Sequence, residues 1–208
     1  MAERGLFITF EGIDGAGKST QARRLAETLR EAGFEVVLTR EPGGSVGAEA
    51  IRTLLVEGAA ARWSAETEIL LFTAARRDHV EKMIAPALDA GHIVICDRFT
   101  DSTRVYQGVA RGALQGLVDG LHAQFIGLEP ALTFLLDMAP EDALARGAAR
   151  GGREDRYESM GAAFQTRLRA GFHALARAAP GRFRLVDAAR DPEAVAAEIA
   201  AETRTLLA

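Results

Sequence analysis

Residues 10–29, FEGIDGAGKSTQARRLAETL, decide the fold. An apolar run, LFITF at 6–10, leads into this stretch, and an amphipathic helical pattern leads out of it. Between them GIDGAGKS (12–19) fits G-x-x-x-x-G-K-[ST] at Gly12, Gly17, Lys18 and Ser19. The glycines let the chain turn tightly, so that several N–H groups converge on one concavity. The following helix adds its positive N-terminal end. The chain has 23 arginines but two lysines, and one of the two stands here. A compact ammonium on a flexible stem inserts among phosphate oxygens better than a planar guanidinium does. Lys18 is therefore expected to neutralise β- and γ-phosphates, and the Ser19 hydroxyl to ligate Mg²⁺. A glycine-rich turn without a ligand is the alternative; the strand before and the helix after favour the phosphate loop.

Working outward, short apolar runs at 6–10, 35–39, 92–96, 131–137 and 183–186 read as strands. Helical patterns fall at 18–32, 46–56, 65–90, 101–107, 114–127, 140–149, 159–178 and 192–207, with Gly33 and Gly91 placed as C-terminal stops. Apolar strands alternating with helices predict a parallel sheet covered on both faces, in a three-layer α/β domain. The 208 residues suit one domain, 1–208, without internal repeat or long linker. The Gly- and Arg-rich stretch at 147–156 is the one candidate mobile loop.

Hydrophobic residues make up 48% and charged residues 26%, as in ordinary globular chains. A net charge of −4 argues against a general nucleic-acid binder, while leaving room for a local basic site. One cysteine, Cys96, excludes an internal disulfide and reads as a buried small hydrophobe. LFITF is too short for a signal-peptide core, and no window approaches a membrane span. The expected compartment is reducing and cytoplasmic.

HIVICDRF (92–99) is a strand ending in Asp97, whose carboxyl end should lie beside the phosphate loop. Asp97 is then placed to hold Mg²⁺, and Arg98 to bring a bidentate phosphate clamp to the same place. Alone, the pair could equally be a surface ion pair. Neither lysine lies in an N-K-x-D, so a guanine-nucleotide switch is disfavoured.

Several motifs in order now point to one family. FEGIDGAGKST (10–20), TREPGGS (39–45), LLFTAARRDHV (70–80), DRFTDSTRVYQG (97–108), ARGAARGGREDRYE (145–158) and FRLVDAARDPEAV (183–195) resemble thymidylate kinases over nearly the whole chain. The resemblance implies the P-loop kinase fold, with a five-stranded parallel sheet and a short lid. It also implies transfer of the ATP γ-phosphoryl to dTMP with Mg²⁺, in a homodimer. ATP would lie on Gly12, Ile13, Asp14, Gly15, Ala16, Gly17, Lys18, Ser19 and Thr20. No basic residue occupies 13–16, while Arg146, Arg150 and Arg153 stand in the lid, as in the bacterial-type group. These three, with Lys18 and Arg98, would be the catalytic cations. Phe99, Arg104 and Ser45 depart from common family residues, and Arg104 puts the neighbouring base contacts in question.

Phe72 and Arg76 are four apart on a helix, so they share a face. A ring to stack and a guanidinium that only donates would favour the O4 of thymine over the amino group of cytosine. A core ring and a solvated arginine is the bland reading. The family pattern maps Arg98 to the dTMP phosphate, Ser102, Thr103 and Gln107 near the base, and Tyr106 under the sugar, where a ring leaves no room for a 2′-hydroxyl. Asp14 would accept from the 3′-hydroxyl. REPGG, with a cis bond before Pro42 as in the family, would line the acceptor side through Arg40 and Glu41; a simple turn would share that composition. Arg146, Arg150 and Arg153 form one stripe if helical, interrupted by glycines that suit a closing lid. The remaining alternatives are another small P-loop kinase or a nucleotide-binding switch.

Overall fold

The computed structural model describes residues 5–57, 62–110, 112–150 and 161–207, with only the backbone of 148–150. Five parallel strands form one sheet: β1 (Phe7–Glu11), β2 (Val36–Arg40), β3 (Ile93–Asp97), β4 (Leu132–Asp137) and β5 (Phe183–Asp187). Their spatial order is β2-β3-β1-β4-β5. The first strand is thus central, which places the turn that follows it in the middle of the sheet's carboxyl edge. Phe10 pairs with Asp97 and Glu11 with Leu135, so the ends of β3 and β4 flank that turn.

Side chains alternate across each strand and divide the core between two layers. Ile8, Phe10, Ile93, Ile95 and Phe134 pack on one face. Phe7, Val94, Cys96 and Phe99 pack on the other. Burial on both faces is why β1, β3 and β4 read as continuous apolar runs.

The helices are α1 (Lys18–Glu31), α2 (Val46–Val56), α3 (Ala65–His79), α4 (Ala85–Asp89), α5 (Thr100–Thr103), α6 (Gln115–Leu121), α7 (Pro140–Arg150), α8 (Ala162–Ala178) and α9 (Pro192–Leu207). The pattern at 65–90 predicts one helix. The structure instead inserts a π-helical turn, Val80–Ile84, between α3 and α4. Pro86, at the start of α4, has no N–H to donate to the preceding turn, and the wider winding accommodates it. The elements expected at 101–107 and 114–127 likewise run from α helix into π turns, Arg104–Val109 and His122–Ile126. Ser45 and Ser64 cap α2 and α3 by accepting from Ala48 N and Thr67 N. The Ser45 hydroxyl also donates to Asp78 (2.6 Å).

Candidate active site

The phosphate loop is built by three left-handed glycines, Gly12 (φ 134°), Gly15 (φ 86°) and Gly17 (φ 91°). Gly15 is held closest: a Cβ there would fall 2.0 Å from the Ala143 carbonyl oxygen of α7. Ile13 and Ala16 turn their side chains into the core, and Gly12 and Thr20 stand back from the cavity. These four could touch a ligand only through the backbone or the loop rim. Gly17 begins α1 with no side-chain cap, which leaves the helix's first N–H groups available to an anion. Lys18 is buried and spans the loop to donate to the Ile13 carbonyl (2.8 Å). Burial, with the positive charge of Arg98, pushes its pKa down to about 8. Phosphate oxygens at this point would restore its charge.

Asp97 ends β3 beside the loop. One carboxylate oxygen accepts the Ser19 hydroxyl. The other, Oδ1, is buried with no hydrogen-bond partner. A hydroxyl and a carboxylate with a spare, aimed oxygen fit Mg²⁺, which takes one or two carboxylates and completes its shell with phosphates and water. Among the described residues there is no cluster of three or more His, Cys, Asp or Glu able to hold a metal by itself.

Arg98 is the one described non-glycine residue with positive φ (71°). Such a conformation in a bulky residue persists only where the surroundings enforce it. The enforcing groups come from β1. Arg98 N donates to the Phe10 carbonyl (2.9 Å). Glu11, fully buried, accepts from Phe99 N (2.8 Å) and the Ser102 hydroxyl (2.6 Å). Burial and the nearby charge of Asp101 raise the Glu11 pKa to about 7. The Arg98 guanidinium then donates to Asp14, Tyr106 Oη (3.1 Å), Ser102 Oγ (2.8 Å) and the Gly12 carbonyl (3.2 Å). Tyr106 Oη donates in turn to Asp14 (2.8 Å). Burial works against the Asp14 charge, yet Arg98 and Lys18 hold its pKa below the usual value.

Asp14, Lys18, Ser19, Asp97, Arg98, Ser102 and Tyr106 share one cavity of about 570 Å³ with Arg40, Glu41, Pro42, Phe72, Arg76, Thr103 and Gln107. The Glu41–Pro42 bond is cis. Arg76 is a buried cation, 3% exposed, neither solvated nor loose. Its Nε donates to Glu41 (2.7 Å) and one terminal nitrogen to Thr103 Oγ1 (3.0 Å). Phe72 lines the cavity from one turn earlier in α3. Gln107 donates to buried Glu68 (3.2 Å), and Arg40 pairs with Glu49 (3.2 Å) at the exposed rim. Arg104 turns away from the cavity to Asp101, Asp119 and Glu129.

Arg146 donates to the Ala188 carbonyl (3.1 Å) after β5 and does not line the cavity. Its neighbour Gly147 does line the cavity. The Arg150 side chain, Arg153 and most of the expected lid at 147–156 lie outside the described residues.

Sequence reading missed Glu11, Glu68, Arg52, Leu55 and Val56, the last three lining the cavity from α2. The signal for Glu11 was a charge closing an otherwise apolar strand. The α2 residues carried no signal beyond helical spacing.

A phosphate-loop motif and a strand-end carboxylate, sharing one cavity with Arg98 and Arg76, define a P-loop kinase. Residues 10–199 match the family model "Thymidylate kinase", and the chain belongs to that family. The thymidylate kinase of Ruegeria pomeroyi is 64% identical over 199 residues, 96% of this chain and 94% of that one. That of Caulobacter vibrioides is 54% identical over 197 residues, 94% of each. The crystal structure of thymidylate kinase from Ehrlichia chaffeensis superposes with a TM-score of 0.78 at 37% identity, covering 97% of this chain and 99% of that one.

Proposed function

We infer that the chain transfers the γ-phosphoryl of ATP to dTMP, giving dTDP, as an enzyme of its family. The observation that carries this reading is that Lys18, Ser19, Asp97, Arg98, Phe72 and Arg76 all line one cavity. ATP phosphates occupy the phosphate loop. Arg98 clamps the dTMP phosphate, Phe72 stacks on thymine and Arg76 donates to O4. Ser102, Thr103 and Gln107 complete the base side. Tyr106 lies under the deoxyribose, Asp14 accepts from the 3′-hydroxyl, and Arg40, Glu41 and Pro42 wall the acceptor side.

Ser19 and Asp97 would hold Mg²⁺, which when bound would draw charge from the ATP phosphates. The acceptor is a phosphate monoester with a second pKa near ~6, already a dianion at pH 7, so no general base is needed. The barrier is the approach of two anions. Lys18 and Arg98 lower it by fixing position and neutralising charge, and Arg150 and Arg153 would add to this from the lid.

The working form is a homodimer. Leu70 on α3 is 55% exposed, and Phe125, in the π turn packed against α3, is also exposed. Arg77, two turns beyond Leu70, reaches the Phe125 carbonyl (3.4 Å), so these apolar groups border a common helical surface. No helix among the described residues is long and apolar enough to cross a membrane, and a reducing compartment suits the buried Cys96 thiol. A coupled assay with ATP, Mg²⁺ and a panel of nucleoside monophosphates tests the reading. dTMP should be the preferred acceptor; equal use of AMP or CMP, or ATP consumption without acceptor, would overturn it.

A further inference from the structure

His79 lies behind the cavity and lines none of it, yet every polar atom of its ring is committed. It is fully buried, one turn beyond Arg76 on the same stripe of α3. Its Nδ1 is 3.2 Å from Glu41 Oε1, and its Nε2 is 2.8 Å from Thr39 Oγ1 on β2. A carboxylate only accepts, so Nδ1 carries the proton in that bond. The other Glu41 oxygen, Oε2, accepts from Arg76 Nε at 2.7 Å. Each carboxylate oxygen therefore has its own fixed donor, and the carboxylate cannot roll about its axis without breaking one of them.

The surrounding chain is shaped to keep the ring there. A Cβ at Gly44 would fall 2.2 Å from His79 Nε2 and 2.5 Å from Thr39 Oγ1. Gly44, at φ 91°, thus leaves room for the imidazole between the loop after Pro42 and α3.

We propose that His79 is a positioning residue for base recognition, acting through Glu41 to fix the plane of the Arg76 guanidinium. Thr39–His79–Glu41–Arg76 is a chain of hydrogen bonds from β2 to the cavity wall. A guanidinium aimed in one direction discriminates a carbonyl oxygen from an amino group; one free to tilt does so less. This rests on the reading of Arg76 as the thymine-facing donor.

Two isosteric cuts test it. The amide nitrogen of asparagine sits where Nδ1 sits, and that of glutamine where Nε2 sits. His79→Asn keeps the donor to Glu41; His79→Gln keeps only the Thr39 side. For each, kcat/KM for dTMP and dCMP and the KM for ATP are measured, with Arg76→Ala in parallel. The expected result is a dTMP/dCMP ratio about fivefold or more lower in His79→Gln. The loss should lie in the dTMP KM, with the ATP KM unchanged, and His79→Asn should stay near wild type. Should His79→Gln fail to fold, His79→Leu, which keeps comparable bulk and likewise removes the donor to Glu41, is expected to lower the ratio in the same way. Equal behaviour of the Asn and Gln variants, or a change in the ATP KM as large as that for dTMP, overturns the proposal. An unchanged ratio in His79→Gln alongside a lowered one in Arg76→Ala removes the His79 role alone. An unchanged ratio in Arg76→Ala removes the base-reading assignment and this proposal with it.

Discussion

Asp97 takes the Ser19 hydroxyl on one carboxylate oxygen and buries the other without a partner. A buried polar atom left unpaired is costly unless something else completes it. The pair joins the first turn of α1 to the end of β3, 78 residues away. Together the Ser19 hydroxyl and the Asp97 carboxylate would hold a divalent metal.

Lys18→Ala and Asp97→Asn are each expected to lower kcat by ~10²–10³, the usual cost of removing one charge partner of the transition state. Circular dichroism should show an intact fold. A folded variant with near-wild-type turnover would remove that residue from the phosphate site.

Phe72→Ala should weaken dTMP and dCMP together, by ~1–3 kcal/mol, because stacking tolerates any base. Arg76→Ala should cost a similar ~1–3 kcal/mol in dTMP/dCMP discrimination. ATP affinity should hold in both, since the phosphate loop is separate. Parallel titrations of the two nucleotides decide it.

Glu11 makes stability depend on pH. Its folded pKa, raised by burial and by Asp101 from 4.5 to about 7, means that the fold prefers the protonated carboxyl. That contribution is complete below pH 4.5 and is lost as pH rises through 7. At about 1.4 kcal/mol per tenfold in proton affinity, up to about 3 kcal/mol is involved. Glu11→Gln cannot titrate. The stability of wild type relative to this variant should therefore fall between pH 4.5 and 7 and level off above. Denaturant midpoints at half-unit pH steps would show it; a flat difference would contradict it.

Gly15→Ala sets a methyl group against the Ala143 carbonyl, on a backbone at φ 86°. Neither partner is a flexible side chain, so loop or α7 must shift. A loss of ~1–3 kcal/mol in stability is expected, together with a raised KM for ATP. Unchanged values of both would mean that the loop yields freely.

Leu70→Glu should convert a dimer into a monomer, as read by light scattering at micromolar concentration, with little change in melting of the isolated subunit. Wild-type protein at monomer mass under the same conditions would end the dimer assignment.

Much of the site was legible because its chemistry is local. GIDGAGKS places its glycines, Lys18 and Ser19 within eight residues, and no distant contact is needed to make that turn. Asp97 and Arg98 were legible because a strand's carboxyl end has a fixed place in a parallel sheet. Phe72 and Arg76 were legible as a pair by helical spacing, though not the burial of Arg76 or its bond to Glu41, which lies 35 residues away. The lid stripe was legible as a pattern, while the direction taken by Arg146 depended on a free carbonyl 42 residues on.

The sequence by itself determined the strand-and-helix order, the phosphate loop and the acidic strand end, since backbone preference and side-chain period act over a few residues. Only the tertiary structure decided which groups stand behind those in the cavity. Glu11 reaches Ser102 across 91 residues, and His79 reaches Thr39 across 40 and Glu41 across 38. Their roles come from partners that share no stretch of chain. Packing alone brings those partners within hydrogen-bond reach, and a one-dimensional pattern carries no distance between them.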